Sequence, residues 1–200
     1  MIRIASEAIA RWLELEGAVS SSDHTLFSYA AYSCLFGLLP IGIVITLGIC
    51  FGMAREAITL VIPFMLLRKF SGGFHLKSSS ICFIVTITVL ALTLWLVKYI
   101  ACTGQTTVLS FSVIVSVVSL CTFSPIENRA RKLSDKERMI FGSIVRVLAI
   151  ASLIIYVSLL YCASIRYTSA FGVGILLVAL LQIPSVLEKL LDQSDQTENT

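Results

Sequence analysis

Two side chains capable of nucleophilic chemistry stand seven residues apart in this chain. His75 is one of two histidines and follows the pair Gly72-Gly73, whereas Cys82 comes just after three consecutive serines. A cysteine becomes a strong nucleophile when a nearby base, often a histidine, takes its proton. This pair therefore predicts acyl transfer by a cysteine peptidase, in which a thiolate attacks a peptide carbonyl.

The serines indicate that Cys82 lies near the start of a helix. Ser is a preferred N-cap, so Ser80 is the expected cap and Cys82 the second helical residue. The partial positive charge of a helix start favours a thiolate, and its free N–H groups can hold an oxyanion. Residues seven apart on one straight helix lie about 10.5 Å apart along its axis, so His75 must precede the helix to reach the thiol. Gly72-Gly73 permits the turn that this requires.

Simpler interpretations of the same residues stay open. Gly72-Gly73 can be a plain connector, with His75 a polar residue at a membrane surface. Arg68 can be an interfacial anchor, or it can bind a substrate carboxylate or a backbone carbonyl beside the site. With only two histidines, far apart in sequence, a zinc or iron site lacks ligands. We therefore expect no metal and no cofactor.

The elements that must position these residues are membrane-spanning helices. Hydrophobic residues make up 57% of the 200 positions and charged residues only 14%, against roughly 45–50% and about 25% in soluble domains. The excess is concentrated in long apolar runs, each close to the roughly 17–25 residues of a spanning helix. These runs are Tyr29–Met53, Ile81–Ala101, Thr107–Phe123, Ile140–Ser164 and Thr168–Leu191.

A sixth apolar run, Ala57–Leu67, is too short to cross a bilayer easily. It holds 11 residues between Glu56 and Arg68 and covers about half of a ~30 Å hydrocarbon core. It either crosses as a short span or is re-entrant. We predict an all-α integral membrane protein with about six transmembrane helices.

The distribution of Lys and Arg sets the expected orientation. With six spans, eleven of these residues lie on the side that holds both termini and three on the other side. If the short run does not cross, the best split is ten against four. Both arrangements place His75, Cys82 and the basic loop 124–139 in the cytoplasm. The expected location is a multi-pass protein of a bacterial cell membrane, with its active site facing the cytoplasm.

Residues 1–191 are expected to form one transmembrane helical domain. Residues 1–17 have helical apolar spacing interrupted by charges, which is typical of an amphipathic helix lying on the membrane surface. Residues 68–80 are the expected active-site loop, and the polar residues 192–200 are predicted to be disordered. The basic loop is a solvated positive-inside segment, or it attracts an acidic peptide while Glu127 or Asn128 orients His75. Its candidate substrate-binding cations are Arg129, Arg131 and Lys132.

The pattern Arg68-x3-Gly72-Gly73-x-His75-x6-Cys82 resembles the accessory gene regulator B family, the AgrB-like membrane peptidases of Gram-positive bacteria. The Ser-Pro-Ile-Glu-Asn segment that opens the basic loop at 124–128 is also similar to that family. The likeness extends over nearly the full chain, from the amphipathic start through about six spans and the two cytoplasmic loops.

The resemblance implies quorum-sensing chemistry on an AgrD-like propeptide. Cys82 would cut off the acidic C-terminal segment through an acyl-enzyme thioester, with His75 as the proton carrier. A side chain of the peptide would then displace Cys82 and close a thiolactone or lactone ring, giving the autoinducing peptide. The resemblance also associates Arg68, Gly72 and Gly73 with activity and implies a homodimer. No nucleic-acid partner is expected.

Two other classes of protein compete with this interpretation. A small membrane peptide exporter or transporter without covalent catalysis would need polar groups or broken helices near the bilayer midplane. A membrane scaffold or sensor would use Cys82 only as a redox-active thiol. A cleavage assay with Cys82→Ser separates the peptidase from both.

Overall fold

The structure is a computed structural model that describes residues 2–17, 20, 23–71, 79–125 and 134–198. The described residues form helices and no strand, in agreement with the predicted all-α class. The helices are α1 (Ile2–Leu15), α2 (His24–Cys50), α3 (Ala54–Ser71), α4 (Ser79–Thr103), α5 (Thr106–Phe123), α6 (Asp135–Cys162) and α7 (Ile165–Glu198).

Short turns close one end of the helix bundle. Gly52 joins α2 to α3 and Gly104 joins α4 to α5, with φ of 68° and 71°, a conformation that glycine adopts without a Cβ clash. Glu56 and Arg166 approach to 3.9 Å and hold the starts of α3 and α7 together here. We call this the turn end. The opposite end, where α3 and α5 finish, is called the loop end.

Helix α7 is the centre of the bundle and contacts α3, α4, α5 and α6. It crosses α3 at very short range, because Gly174 leaves no side chain between the two helices. A Cβ added there would lie 2.5 Å from the Leu60 carbonyl oxygen and 2.8 Å from Pro63 Cγ. The two backbones therefore pack directly, as is common where small residues line a helix interface in membranes.

A second close contact joins α5, α6 and α7. A Cβ on Gly172 would come within 2.7 Å of the Tyr156 ring and 3.2 Å of Leu109. The Tyr156 and Ser110 hydroxyl groups are 3.0 Å apart and share a hydrogen bond, so the buried phenol has a polar partner in an apolar interior.

Four helices are long and apolar enough to cross a membrane, judged on the described residues. The qualifying segments lie in α4, α5, α6 and α7 and are 84–103, 106–123, 136–162 and 165–184. The apolar stretch found in α2 is the shorter Leu38–Cys50. These findings agree with a multi-pass membrane protein, whereas the predicted total of six spans stays a prediction.

Helix α3 is longer than the apolar run that predicted it. Its 18 residues extend about 27 Å, and it packs against α2, α6 and α7. The run stopped at charged residues, but the helix continues through them. Glu56 lies in its first turn, and Arg68 and Lys69 lie in its last turn, where each charge is favourable to the helix dipole.

The two terminal segments differ in how they match the sequence predictions. Helix α1 occupies the segment predicted to be amphipathic, packs on α2 and leaves Ile9 and Trp12 exposed. Its position at a membrane surface stays a prediction. Helix α7 continues to Glu198, so residues 192–198, which the polar composition predicted to be disordered, are helical in the structure.

Candidate functional site at the loop end

A buried amide ties three helices together at the loop end. Gln182 Nε2 in α7 donates to the Ser71 carbonyl oxygen at 3.2 Å and to Ser124 Oγ at 2.7 Å. Ser71 is the last residue of α3, and Ser124 directly follows α5. We call Gln182, Ser71 and Ser124 the Gln182 node. It lies where the chain leaves the bundle towards 72–78 and, one residue further on, towards 126–133.

Two of the three residues of the node are buried away from solvent, and Ser124 is half-buried. Gln182 is 1% exposed and Ser71 is fully buried. Both N–H bonds of the Gln182 amide are used, and its Oε1 is buried without a hydrogen-bond partner among the described residues. Such groups are costly to bury unless they are paired, so the two donated bonds are needed to hold Gln182 in this position.

Helix α6 also begins at the loop end. Glu137 accepts a hydrogen bond from the Ser134 backbone N–H at 3.0 Å and caps the helix start. The Phe141 ring lies 6.2 Å from the Phe70 ring, which joins the start of α6 to the last turn of α3. Because of this cap, α6 starts at Asp135, and the basic connection is shorter than the predicted loop 124–139.

A close backbone contact fixes the first residues after α5. A Cβ on Gly142 would lie 3.3 Å from Pro125 Cδ and 3.7 Å from the Ser124 carbonyl oxygen. Ser124 is therefore enclosed by α6 through Gly142 and by α7 through Gln182. The start of the basic connection is held on two sides.

The candidate nucleophile lies in the first turn of α4. That helix begins at Ser79, so Cys82 is its fourth residue rather than the second, and Ser80 is inside the helix rather than at its N-cap. The reason is that any of the three serines could serve as the cap, and the sequence did not distinguish them. Cys82 still falls within the first turn, where the helix dipole acts.

The predicted active-site loop 68–80 is shorter in the structure. Arg68, Lys69, Phe70 and Ser71 complete α3, and Ser79 and Ser80 open α4. Arg68 is half-buried and takes part in a polar or ring interaction. Lys69 Nζ lies 5.5 Å from the centre of the Phe70 ring. The connection itself is 72–78.

Most of the predicted site residues lie outside the described residues. These are Gly72, Gly73 and His75 in the first connection, and Glu127, Asn128, Arg129, Arg131 and Lys132 in the second. The structure therefore shows that the ends of α3 and α5 and the start of α6 converge, while the contact between His75 and Cys82 stays a prediction. Among the described residues, no group of three His, Cys, Asp or Glu side chains could hold a metal ion.

Arg146 is a charged residue within the apolar part of α6. Its Nε donates to the Gly142 carbonyl oxygen at 3.2 Å, so the side chain bends back along α6 towards the loop end. Long cationic side chains adopt this course because the charge then leaves the apolar region. Arg146 therefore adds positive charge towards the start of α6, the end that follows the basic connection.

Comparison with known proteins identifies the family. A sequence model of the family described as Accessory gene regulator B matches residues 6–186. The chain belongs to the accessory gene regulator B family. The match spans α1 to the Gln182 node and includes both connections.

Individual relatives agree with this assignment. The chain is 26% identical to an AgrB-like protein of Clostridium perfringens strain SM101, over 96% of this chain and 97% of that protein. It is 22% identical to the Accessory gene regulator protein B of Staphylococcus saprophyticus, over 68% of this chain and 69% of that protein. No solved structure matches the chain.

Membership has direct consequences for the role of the protein. The accessory gene regulator B family implies a part in accessory gene regulator quorum sensing, and the family is known for peptide processing. Together with the four long apolar helices, it identifies this chain as a membrane protein of that system.

Sequence reasoning did not single out Gln182. A single glutamine within the apolar run Thr168–Leu191 carries no sign of its partners, which lie 111 and 58 positions away in sequence. The one available signal was an amide directly after a long apolar stretch and two residues before Pro184.

Proposed function

We propose that this family member is a cysteine endopeptidase that cleaves the C-terminal segment from an AgrD-like propeptide. The observation that carries the proposal is the combination of Cys82 in the first turn of α4 with the family match across both connections. The helix start favours the thiolate and offers N–H groups to an oxyanion. His75, seven residues earlier, is the nearest histidine in sequence and the base of the proposal.

In the proposed reaction the acyl group of the propeptide passes from the amide nitrogen to Cys82 and then to a side chain of the peptide, and it is never released to water. His75 takes the proton of Cys82, and the thiolate attacks the scissile carbonyl of the propeptide. The C–N bond breaks, His75 gives its proton to the leaving amine, and the peptide remains on Cys82 as a thioester. A Cys thiol or a hydroxyl of the same peptide then gives its proton to His75 and attacks that thioester. The C–S bond to Cys82 breaks, the leaving Cys82 thiolate takes the proton back from His75, and a thiolactone or lactone ring is closed without any nucleotide.

Positive charges at the loop end would favour an acidic leaving segment. Arg68 and Lys69 end α3, Lys136 and Arg138 open α6, and the connection 126–133 contributes Arg129, Arg131 and Lys132. Exposed charges are screened beyond about 8 Å at physiological salt, so these residues act collectively on association rather than as single strong contacts. The active site of the proposal faces the cytoplasm, where the positive-inside rule puts these residues.

Trapping the acyl-enzyme tests the proposal most directly. Purified protein in liposomes is incubated with the cognate propeptide and with a propeptide whose ring-closing residue is changed to Ala. We expect wild type to release the C-terminal segment from both, and the altered propeptide to leave a mass adduct on Cys82. The same experiment with Cys82→Ala should give neither product. Release of the segment by that variant would contradict the proposal.

The result also separates the peptidase from the exporter. An exporter without covalent chemistry moves the propeptide across the liposome membrane and leaves its mass unchanged, with or without the Cys82 thiol. A peptidase changes the mass of the propeptide and depends on that thiol.

A further inference from the structure

The Gln182 amide is out of place by composition, because it lies in the most buried helix of the bundle. Residues 168–175 of α7 are all buried, and the buried side chains that follow them are apolar up to Gln182. Leu or Met would fill a similar volume without an amide to desolvate. A buried amide is stable here only with hydrogen-bond partners, and the location of those partners indicates the structural role of Gln182.

Both partners are groups at the C-terminal ends of helices. The last carbonyl groups of a helix have no partner within the helix, and Gln182 supplies a donor to that of Ser71 at the end of α3. Its second N–H bonds the side chain of Ser124, the residue that caps α5. One amide therefore fastens two helix ends that are separated by more than fifty residues in the chain.

The chain continues from these two helix ends into the two connections of the proposed site. Gly72-Gly73 and His75 follow Ser71 directly, and Glu127 and Asn128 follow Ser124. At the turn end, by contrast, the described connections are short glycine turns and the junction at 163–164. The long-range hydrogen bonds of Gln182 thus lie at the end of the bundle from which the connections 72–78 and 126–133 continue.

We infer that Gln182 is a positioning residue of the peptidase site, acting through Ser71 and Ser124 to set where the two connections leave the bundle. The inference rests on the proposed function of His75 and Cys82. Gln182 is buried and acts on no substrate atom; it holds the end of α3, from which the chain continues to His75. Loss of the Gln182 hydrogen bonds should therefore disturb the alignment of His75 with Cys82, which lowers kcat, and should change the binding of propeptide less.

Kinetics of matched variants test the inference. Gln182→Met is close in shape and cannot donate, and Ser124→Ala removes one of the two acceptors. We expect Gln182→Met to lower kcat for propeptide cleavage about tenfold or more, equivalent to ~1.4 kcal/mol or more in the barrier, with KM little changed. Ser124→Ala should have a smaller effect of the same kind. The double variant should match Gln182→Met alone, because the Ser124 hydroxyl then has no bond to Gln182 left to lose.

Thr168→Val is the matched control. Thr168 is also buried in α7, and its hydroxyl bonds the Leu159 carbonyl oxygen at 3.0 Å near the turn end. It should lower the unfolding temperature and leave kcat unchanged. If Gln182→Met behaves like Thr168→Val, with a change in unfolding temperature but none in kcat, Gln182 is a packing residue and the inference is wrong.

A readout independent of activity separates this inference from the proposed function. Hydrogen exchange of the intact protein in nanodiscs should be faster in 68–80 and 124–134 for Gln182→Met and Ser124→Ala, and unchanged there for Thr168→Val. Unchanged exchange in both site variants would overturn the anchor. Faster exchange combined with full cleavage by Cys82→Ala would instead support the anchor and reject the peptidase.

Discussion

The two ends of this helix bundle are closed by different physical means. The turn end uses glycines at positive φ and the contact between Glu56 and Arg166, whose side chain is 70% exposed. The loop end uses a buried neutral amide, an aromatic pair and a capped helix start. Local turns suffice where helices only reverse, whereas the helix ends that lead into the longer connections are held by contacts from distant parts of the chain.

The burial of the helices shows the same division of labour. In α7, 67% of the apolar segment is buried within the bundle, whereas only 28% of the corresponding segment is buried in each of α4, α5 and α6. The three outer helices present their remaining apolar surface to lipid. Helix α7, together with α3, forms the interior against which both helix ends at the loop end are fixed.

Removing the thiol at the loop end should have the largest effect of any change considered. Cys82→Ala should abolish propeptide cleavage, because it removes the thiol that forms the thioester in the proposed mechanism, and should leave membrane insertion intact. Cys102→Ala is the control, since that exposed thiol lies on the same helix at the turn end. Mass spectrometry of the propeptide measures both. Equal loss of propeptide cleavage in the two variants would contradict a specific role for the thiol at the start of α4.

Removing the proposed base, His75, should have the next largest effect. His75→Ala should lower kcat by about 10²–10⁴-fold, the usual contribution of general acid–base catalysis. The alkylation rate of Cys82 by iodoacetamide, followed against pH, should shift to higher pH because the thiolate loses its partner. Variants lacking the other cysteines isolate the Cys82 signal. A profile identical to that of wild type would leave helix α4 alone as the activator of the thiol.

A change between the two ends should lower stability rather than chemistry. Gly174→Ala places a methyl group against the Leu60 carbonyl oxygen and Pro63, and overpacking of this kind costs about 1–3 kcal/mol. Gly42→Ala is the control, because nothing lies within 4 Å of an added Cβ there. Thermal unfolding in detergent should show a lower midpoint for the first variant only. A similar midpoint for both would show that α3 and α7 separate easily.

Charge reversal at the loop end should affect substrate association modestly. Changing Arg131, Lys132 and Lys136 to Glu should raise KM about three- to tenfold with little change in kcat, since exposed pairs contribute only ~0–1 kcal/mol each. Higher salt should raise KM of wild type in the same direction. Lys98→Glu, an exposed change in α4 towards the turn end, is the control. If KM and kcat of the triple variant are unchanged, the basic connection does not recognise substrate and only sets the orientation of the protein in the membrane.

The smallest effect is expected for the ion pair at the turn end. Arg166→Ala removes a mostly exposed partner 3.9 Å from Glu56, whose own side chain is 9% exposed; solvent screens the Arg166 charge, so the change should cost about 1 kcal/mol of stability. Cleavage of the propeptide should be unaffected. Thermal unfolding and the mass-spectrometric assay check the two expectations. A large loss of cleavage would show that the two ends are coupled through α3 and α7.

The amino-acid sequence by itself determined the class of this protein and the approximate positions of its helices. Each predicted apolar run overlaps one helix, with ends that differ by up to seven residues, because apolar length and helical hydrogen bonding are properties of local sequence. It also indicated that Cys82 lies in the first turn of a helix. Boundaries were least accurate at α2, α6 and α7, where polar or charged residues continue the helix and end only the apolar pattern.

Only the tertiary structure decided which helices are interior and what fastens the loop end. The short apolar run seemed the weakest span in the sequence, yet α3 packs against α7 with backbone contact at Gly174. Gln182 acquired its role from Ser71 and Ser124, which are far from it along the chain. Hydropathy registers the composition of a segment, whereas the partner of a buried amide depends on how distant helices pack, and no local pattern contains that information.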